Sequence, residues 1–327
     1  MTLKVLSLCD GLSGISLAFN KLGIEVEVHA VETDRQVGAL ADFNVQVVRW
    51  KNDVNSITES DIVAHGPYDW VVFGSPCQSV SVAGDGSGLN GSSGLLIKCM
   101  EILKLCQKHN PSLKYIIENV KMKKEFYSQF VSLIGHEAVL INAALVSAQK
   151  RERYYWCNFS VPQPTDRRLL LKDVLESTPD KSMIFSPGEF DQILNSRVCL
   201  DDSEIKGVTL KDHIIKSQKQ VVFAYSSSSR AWGIDRRSNI SGKANTLATG
   251  SGGSSGNRSI NGVANISPTG ITLRKLTVRE CARLQTIPDW FHLNPVSKTH
   301  AYRAIGNGWC TEVIIHILRC GLHPVDL

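Results

Sequence analysis

Residues Leu6–Ala18 read LSLCDGLSGISLA, and their pattern is the strongest indication of the fold class. The apolar run Leu3–Leu8 ends just before Asp10-Gly11, and Ile15–Leu22 then carries apolar residues at helical spacing. A strand that turns through glycine into a helix is the general device by which α/β proteins place a nucleotide at a helix N-terminus. The stretch lacks the G-x-G-x-x-G fingerprint of dinucleotide-binding proteins. It predicts an α/β fold, and a tight turn and a ligand site are equally good interpretations of it.

The first half of the chain continues to alternate strand-like and helix-like segments. Strands are predicted at Val26–Val31, Asp69–Phe73 and Tyr115–Ile117, with a long helix at Leu95–Gln107. Short β-branched runs that alternate with helices indicate a parallel sheet with helices on both faces. Ligand sites in such sheets lie at the carboxyl ends of the strands. The sequence places four chemically capable side chains at those ends: Asp10, Glu32, Cys77 and Glu118.

The overall composition is that of an ordinary globular protein. The chain has 327 residues, of which 43% are hydrophobic and 20% charged. No apolar run approaches the roughly 18 residues that span a bilayer, and the N-terminus lacks a cleavage site, so we expect a soluble, cytoplasmic protein. The net charge of +5 permits a polyanionic partner without requiring one. The nine cysteines form no C-x-x-C pair, so we expect reduced thiols and no metal site.

Two acids early in the chain, Glu32 and Asp53, could contact a nucleotide. Glu32 ends the second strand, where a carboxylate could bind ribose hydroxyls. Asp53 precedes Val54 and could hold the amino group of an adenine. A helix cap or a solvated loop charge is the plainer interpretation of each acid taken alone.

The middle of the chain, from Leu170 to Thr272, has a different pattern. Helical periodicity fades, and small polar residues dominate in Ser226–Ser229 and Ser251–Gly256. Such runs are typical of flexible linkers. Basic and aromatic residues on glycine-rich loops can alternatively form a nucleic-acid surface. The sequence therefore predicts a small, irregular second domain, with these candidates for that surface: Arg230, Trp232, Arg236, Arg237, Lys243 and Arg258.

A candidate nucleophile follows the third predicted strand, in Gly74-Ser75-Pro76-Cys77-Gln78. A cysteine at a strand end and helix start experiences a positive potential that favours the thiolate. A thiolate can add to C6 of a cytosine ring and make C5 nucleophilic. A buried structural thiol is an equally good interpretation of Cys77 alone.

An addition of this kind needs an acid near N3 of the base. Glu118 follows an apolar strand, where burial can keep a carboxyl group protonated, although it could also simply cap a helix. We expect Asn119 to fix the loop. Arg151 and Arg153 lie two residues apart on one face of an extended segment. From there they could reach the base carbonyl, the Glu118 carboxylate or a phosphate. A basic surface strand is the alternative.

Regular patterns return after Leu273. Thr277–Glu280 matches a capping box that leads into a predicted helix at Glu280–Leu284. Arg303–Gly308 then precedes a final apolar helix at Cys310–Leu318.

Taken in order, these segments resemble the cytosine-C5 DNA methyltransferase family. Pro76-Cys77, Glu118–Val120 and the Arg151/Arg153 pair match its catalytic signatures, while Arg274–Gln285 and Tyr302–Trp309 match its ninth and tenth motifs. The resemblance covers about residues 1–160 and 272–318. The short first motif and the Gly-Ser-Pro-Cys turn look more like the eukaryotic de novo enzymes. The C-terminal motifs and the large variable region look bacterial or phage-like.

The resemblance implies a Rossmann-like sheet that binds S-adenosylmethionine and releases S-adenosyl-L-homocysteine, with a smaller irregular target-recognition domain. It implies that Cys77 is the nucleophile, that Glu118 acts at N3, and that Arg151 and Arg153 support it. The cofactor contacts that it implies are Asp10, Gly11, Leu12, Gly14, Glu32, Asp53, Val54, Leu95, Asn307 and Trp309.

The resemblance also implies how DNA is held. Gly84–Gly94 would be a mobile loop that closes over a flipped cytosine. Gln78 and Ser81 would fill the gap left by the base. The implied DNA contacts on the recognition domain are Arg230, Arg236, Arg237 and Arg258.

The sequence thus predicts a DNA (cytosine-5-)-methyltransferase with three parts. Residues 1–169 would form the catalytic domain, residues 170–272 the target-recognition domain, and residues 273–327 a return to the catalytic domain. We expect a monomer without metal that acts on double-stranded DNA in a prokaryotic or phage-infected cell, within restriction-modification. The alternatives are a tRNA cytosine-C5 methyltransferase and a catalytically silent DNA-binding regulator on the same scaffold. A nicotinamide-dependent oxidoreductase is disfavoured because the glycine fingerprint is missing.

Overall fold

The computed structural model of the protein describes residues 2–75, 94–179, 183–200, 203–230, 233–240, 242–255 and 259–322. Five features of the sequence analysis lie outside the described residues: Cys77, Gln78, Ser81, Trp232 and Arg258. The same is true of the predicted loop over residues 84–93. No helix within the described ranges is long and apolar enough to cross a membrane.

The described residues form two units. The first draws on Met1–Asn142, Glu152–Pro164 and Thr311–Leu327, and the second on Ala143–Arg151 and Thr165–Cys310. The predicted division at residues 169 and 272 assigns functions to parts of the chain, and it stays a prediction.

The first unit is an α/β structure around a mixed seven-stranded sheet. In the described part, strands β1 to β5 run parallel and β7 runs antiparallel to both β5 and β6, in the order β3-β2-β1-β4-β5-β7-β6. The predicted α/β fold is confirmed. The elements are β1 (Leu3–Leu8), α1 (Gly14–Leu22), β2 (Val26–Val31), α2 (Arg35–Asn44), β3 (Val48–Lys51), α3 (Glu59–His65), β4 (Trp70–Gly74), α4 (Gly94–His109), β5 (Lys114–Val120), α5 (Lys124–Ile134), β6 (Val139–Asn142) and β7 (Glu152–Cys157).

Burial explains why the central strands read as continuous apolar runs. In β4, Val71, Val72 and Phe73 are all fully buried, because helices cover both faces of a parallel sheet.

Helix α1 ends where Gly23 adopts a left-handed conformation with φ 72° and donates its N–H to the carbonyls of Phe19 and Asn20.

The second unit contains a six-stranded sheet in the order β13-β12-β10-β11-β8-β9. Its core contains Phe223, Ile260 and Leu273 from the sheet and Ile193 and Ile214 from two helices. The elements are α6 (Pro187–Leu194), β8 (Arg197–Leu200), β9 (Ser203–Thr209), α7 (Leu210–Ser217), β10 (Val221–Arg230), β11 (Gly233–Asn239), β12 (Ser259–Ser267), β13 (Gly270–Lys275), α8 (Val278–Leu284) and α9 (Lys298–Asn307).

The serine-rich run of this unit is more regular than the sequence suggests. Ser226–Ser229 was expected in a loop but belongs to β10, where it pairs with β11. Phe223 and Tyr225, just upstream, are fully buried and anchor the strand. Ladder hydrogen bonds come from the backbone, so pairing with β11, the next segment of the chain, can form a strand from side chains of weak propensity.

The glycine-serine stretch at 251–256 is likewise packed where it is described. Gly253 is buried in a left-handed conformation with φ 70°, and a Cβ there would overlap the side chain of Leu247. This close approach requires glycine, so Ser251–Gly253 forms a fixed turn and the linker interpretation is wrong there.

The predicted capping box at the start of α8 is confirmed. The N–H of Glu280 donates to the Thr277 hydroxyl at 3.1 Å, and the N–H of Thr277 donates to the Glu280 carboxylate at 2.9 Å. Arg274 adds a bidentate ion pair to the same carboxylate at 2.8 and 2.9 Å, so the second unit is fixed at this helix by a buried network.

The last helix, α10 (Thr311–Gly321), belongs to the first unit and closes its core. A Cβ at Gly321 would lie 2.5 Å from Cη2 of Trp70 and 2.8 Å from Cζ of Phe159.

We expect Gly321→Ala to lower the free energy of unfolding by about 1–3 kcal/mol, because both rings are packed and must move. Urea unfolding of the two proteins measures the difference.

The matched control is Gly38→Ala, in α2 of the same unit. A Cβ at Gly38 would make ordinary contacts of 3.8 Å with Arg49. Alanine is the better helix former, so this variant should gain about 0.5–1 kcal/mol. Equal effects of the two substitutions would contradict the close packing of Gly321.

Candidate active site

The pairing of the parallel strands brings several strand ends to one edge of the sheet. Leu8 of β1 lies beside Val31 of β2 and Phe73 of β4, and Gly74 lies beside Glu118 of β5. The carboxyl ends of these strands therefore meet at a common edge. The sequence predicted this arrangement for the described acids Asp10, Glu32 and Glu118, and the register confirms it.

The turn after β1 is tightly wound. Cys9, Gly11 and Ser13 all adopt left-handed backbone conformations, with φ of 53°, 56° and 54°. A side chain other than glycine pays about 1–3 kcal/mol for such a conformation, and residues of this kind cluster at functional sites. The turn is closed by the N–H of Ser13, which donates to the Asp10 carbonyl at 3.0 Å.

The carboxylate of Asp10 holds this turn from inside. It accepts hydrogen bonds from Ser7 Oγ at 2.6 Å and Ser13 Oγ at 3.1 Å, and from Arg49 Nη1 at 3.0 Å. Burial raises the pKa of Asp10 to about 6, although the Arg49 guanidinium acts in the opposite direction. Asp10 thus supports the turn, and its own contact with the cofactor stays a prediction.

Glu32 is a firmly held acceptor at this edge. Its Oε2 accepts the N–H of Gly11 at 2.8 Å and its Oε1 the N–H of Asp34 at 2.8 Å. These bonds fix the carboxylate, and each oxygen keeps a second lone pair for a hydroxyl group. A Cβ at Gly11 would meet nothing within 4 Å, so the space beside the turn is open. A fixed acceptor beside open space fits the ribose of S-adenosylmethionine.

The remaining predicted cofactor residues of the first unit lie in the turn after β1, at the start of α1, in a short 3-10 turn and in α4. Gly14 begins α1, and Leu12 is buried beside it. Asp53 caps a short 3-10 turn by accepting the N–H of Asn55 at 2.9 Å. Val54 is buried in the same apolar core against which Leu95 of α4 packs. All of these assignments remain predictions for the bound cofactor.

Asn119 connects two strand ends at the same edge. Its Nδ2 donates to Ser75 Oγ at 2.9 Å and to the Ser75 carbonyl at 3.2 Å, and its Oδ1 accepts the N–H of Val120 at 2.8 Å. The expectation that Asn119 fixes the loop is confirmed. The sequence missed Ser75, which is buried, although it stands only two residues before Cys77.

Glu118 is paired with one of the two predicted arginines. Arg153 Nε lies 3.1 Å from Glu118 Oε1, and both side chains are largely buried, at 14% and 11% exposed. Arg153 is held in turn by a hydrogen bond from its Nη1 to the Glu152 carbonyl at 2.8 Å. The first unit therefore presents a carboxylate oriented by a guanidinium beside the segment that leads to Cys77.

Arg151 makes a different set of contacts, within the second unit. It is buried, and its guanidinium donates to the carbonyls of Leu247 at 3.2 Å and of Gly306 and Gly308 at 3.0 Å each. These bonds hold the backbone on both sides of Asn307, the exposed last residue of α9. The predicted role of Arg151 beside Glu118 stays a prediction.

Gln149 and Gln285 extend this network, and the sequence did not single them out as functional. Gln149 Nε2 donates to the Leu284 carbonyl at 2.7 Å, and Gln285 Nε2 to the carbonyls of Ile305 at 2.8 Å and Gly308 at 3.0 Å. The predicted cofactor residue Trp309, which follows this segment, is half-buried.

Three of the predicted DNA-contacting arginines, which the structure describes, lie on strands and not on loops as expected. Arg236 pairs with Ser227 and Arg237 with Ser226 between β11 and β10, and Arg230 ends β10. Lys243 instead uses its ammonium group inside the second unit, where it donates to the carbonyls of Ala144 and Ser147 at 2.6 and 3.0 Å.

The described part of the chain contains no candidate metal site. Among the residues that the structure describes, no group of three or more His, Cys, Asp or Glu side chains could hold a metal ion.

The fold and this edge define a Rossmann-like methyltransferase. The chain belongs to the C-5 cytosine-specific DNA methylase family, whose model matches residues 3–320. Members of this family use S-adenosylmethionine as the methyl donor.

Similar proteins span nearly the whole chain. Type II methyltransferase M.NgoBI of Neisseria gonorrhoeae is 28% identical over 95% of this chain and 90% of its own length. Type II methyltransferase M.FnuDI of Fusobacterium nucleatum is 24% identical over 93% and 90%.

Two solved structures share the fold. Dnmt2 methyltransferase of S. pombe has a TM-score of 0.62 at 17% identity, covering 99% of this chain and 100% of its own. Methyltransferase EhMeth of Entamoeba histolytica has a TM-score of 0.65 at 11% identity, covering 98% of each chain.

Asp10 should give the protein a measurable pH dependence of stability. Its folded-state pKa of about 6 exceeds the ordinary 3.8, so between these values the native state holds a proton that the unfolded chain has released. The free energy of unfolding therefore falls as the pH rises through this window, by about 3 kcal/mol in full, and levels off above it. Asp10→Asn should lack this fall, as urea unfolding between pH 4 and 7 would show.

Asp42→Asn is the control, since it removes the exposed carboxylate that accepts a hydrogen bond from Nε of the same Arg49. Solvent screens the charge of Asp42, so the free energy of unfolding of Asp42→Asn should change with pH in parallel with that of the unaltered protein. Parallel profiles for all three proteins would contradict the burial argument for Asp10.

Glu118 and Arg153 should act as one unit in methyl transfer. We expect Glu118→Gln to lower kcat by about 10²-fold or more, the range of a general acid. Arg153→Ala should also lower kcat, because the carboxylate loses the group that orients it. The double variant should lose little beyond Glu118→Gln, since the effects of residues that act together are not additive.

Lys108→Ala, which breaks the exposed pair with Glu59 at the far end of α4, is the control and should leave kcat unchanged. Strictly multiplicative losses in the Glu118/Arg153 cycle would show that the ion pair does not serve the reaction.

Proposed function

We propose that the protein methylates C5 of a cytosine that is flipped out of duplex DNA, through a covalent bond between Cys77 and C6 of the base. One observation carries the proposal: the Glu118–Arg153 pair lies at the strand edge where Asn119 holds Ser75, two residues before Cys77. A nucleophile delivered at this point has an oriented carboxyl group beside it.

The residues of this chain divide the reaction between them. The Cys77 thiolate adds to C6 while Glu118 donates a hydrogen bond or proton to N3, and the electron pair of the C5–C6 double bond becomes available at C5. Bound S-adenosylmethionine would supply an electrophilic methyl group to C5 and would leave as S-adenosyl-L-homocysteine, whose sulfur keeps the electron pair of the broken S–CH3 bond. A base then removes the C5 proton, the double bond re-forms, and Cys77 leaves as the thiolate.

Duplex DNA is the substrate that the second unit supports best. Its six-stranded sheet offers a dedicated surface for reading base edges in a groove, and Arg230, Arg236 and Arg237 lie on adjacent strands of it. Gln78, Ser81, Arg258 and the loop at 84–94 are the other DNA contacts that we propose. The relatives named Type II methyltransferases suggest a role in restriction-modification.

The covalent step can be tested by trapping. With S-adenosylmethionine and duplex DNA that contains 5-fluorocytosine, the protein should form an adduct that survives denaturation, because fluorine does not leave as a proton does. Cys77→Ser should abolish the adduct and the methylation while leaving DNA binding largely intact. Denaturing electrophoresis measures the adduct, and transfer of a tritiated methyl group measures the activity.

Cys320→Ser is the matched control, because Cys320 is a half-buried thiol on α10 and should not affect the adduct. Bisulfite sequencing of plasmid DNA from cells that express the chain identifies the methylated context, which supplies the trapping duplex. Methylation of tRNA in preference to DNA would assign the rival activity on the same scaffold. Binding of DNA without any methyl transfer would indicate the silent regulator.

A further inference from the structure

The chain directly after the predicted acid carries a concentration of positive charge. Lys121, Lys123 and Lys124 follow the end of β5 and precede or begin α5. These three residues form the lysine ridge. Because β5 ends at the edge that holds Glu118, the lysine ridge lies at the same edge of the first unit. All three side chains are exposed.

The backbone of the lysine ridge is fixed. Met122 and Phe126 are buried, at 7% and 8% exposed, and both belong to the core of the first unit. Lys123 is extended, with φ −62° and ψ 150°. Alternating exposure places Lys121 and Lys123 on the solvent side of the chain and Met122 on the core side. The ammonium groups are therefore presented from a rigid base.

Nearby acids neutralise only one of these charges. Lys121 pairs with Glu152 at 2.9 Å, and Glu118 at the same edge is paired with Arg153. Within the described ranges, neither Lys123 nor Lys124 has an ion-pair partner. Two charges without an ion pair thus stand next to each other at this edge, followed by the exposed Glu125 in the first turn of α5.

The placement of these charges opposes the stability of α5. Lys123 is the N-cap of α5 and makes no side-chain capping bond, and Lys124 is its first residue. The positive end of the helix dipole disfavours cations at these positions, and lysine cannot accept a backbone N–H. Six other described helices begin with a residue whose side chain does accept one: Asp34, Thr58, Ser186, Thr209, Thr277 and Ser297.

Lysines that lower the stability of α5 at its first residues point to a functional requirement. Lysine is a point charge on a flexible stem, which suits phosphate groups better than base edges. We propose that Lys123 and Lys124 of the lysine ridge bind the phosphodiester backbone of duplex DNA beside the target cytosine. This inference rests on the proposed function and adds a contact surface on the first unit.

A binding experiment tests the proposal with Lys123→Gln/Lys124→Gln. Phosphate contacts are independent of sequence, so the variant should bind two short fluorescent duplexes, with and without the methylated context, more weakly by the same factor. The slope of log affinity against log salt concentration should decrease in magnitude by about 1 for each lysine, or about 2 in total. Fluorescence anisotropy over a salt series measures both quantities.

The matched control is Lys104→Gln/Lys108→Gln, which removes the same charge. Both lysines are exposed in the second half of α4, which leads to the opposite edge of the sheet, where β5 begins. This variant should retain the affinity and the salt slope of the unaltered protein. An equal loss in both double variants would mean that net charge alone is responsible, which would overturn the proposal.

Two further variants separate binding from folding. Lys123→Ser supplies a capping hydroxyl, so it should raise the melting temperature while it weakens DNA binding. Lys123→Arg/Lys124→Arg keeps both charges and should restore the affinity. A Lys123→Ser protein that is more stable and binds DNA as well as before would contradict the proposal.

The outcome is distinguishable from failure of the proposed function. If the unaltered protein forms the 5-fluorocytosine adduct but Lys123→Gln/Lys124→Gln binds DNA with unchanged affinity and slope, only the lysine ridge proposal fails. If the double variant loses affinity for tRNA and not for duplex DNA, the lysine ridge is an RNA contact and the proposal is wrong. If the unaltered protein neither methylates DNA nor forms the adduct, the proposed function fails, whatever the lysine variants do.

Discussion

The pairing of β4 with β5 is the constraint on which the candidate site depends. Gly74, the last residue of β4, lies beside Glu118 of β5 in this ladder. Backbone hydrogen bonds between the two strands therefore bring the end of β4 and the acid together. A shift of one residue would turn Glu118 to the other face of the sheet. The bonds from Asn119 to Ser75 then fix the chain that enters Pro76-Cys77. The chemistry at this edge therefore follows from strand register before any side chain is considered.

A second constraint acts at the neighbouring strand. The turn after β1 holds three left-handed residues, and the buried Asp10 carboxylate bonds to serines on both sides of it. An ionised carboxylate in such a place is disfavoured by desolvation and is favoured by Arg49. Glu32 also bonds to this turn, through Gly11. The turn is thus fixed by charge as well as by backbone, which keeps the open space next to Glu32 in one shape.

The sequence was most informative where the structure depends on local pattern. The bounds of β1 and β2, the glycine that ends α1 and the capping box of α8 all follow from periodicity and short-range hydrogen bonding. The common edge for Asp10, Glu32 and Glu118 followed from the general rule for parallel sheets. These features require no knowledge of distant contacts.

The sequence was less informative where other segments decide the outcome. Ser226–Ser229 became a strand because its backbone pairs with β11, and nothing in a run of serines indicates that partner. The distant β12 pairs only with the earlier part of β10, Val221–Ser226. Arg49 is a half-buried residue of β3, and no local signal links it to Asp10, 39 residues earlier. Lys243 was expected on a binding surface because it is basic, but its ammonium group satisfies two backbone carbonyls.

Arg151 and Arg153 show why spacing alone does not assign a role. The two residues are chemically identical and were predicted to work as a pair, yet the chain passes from the second unit to the first between them. Arg153 lies beside the carboxylate of Glu118, where its charge fixes the position of that group. Arg151 meets three carbonyls, where its planar array of donors suits the fixing of backbone. A guanidinium serves both purposes because it carries charge and five donors at once, so only its partners decide which property is used.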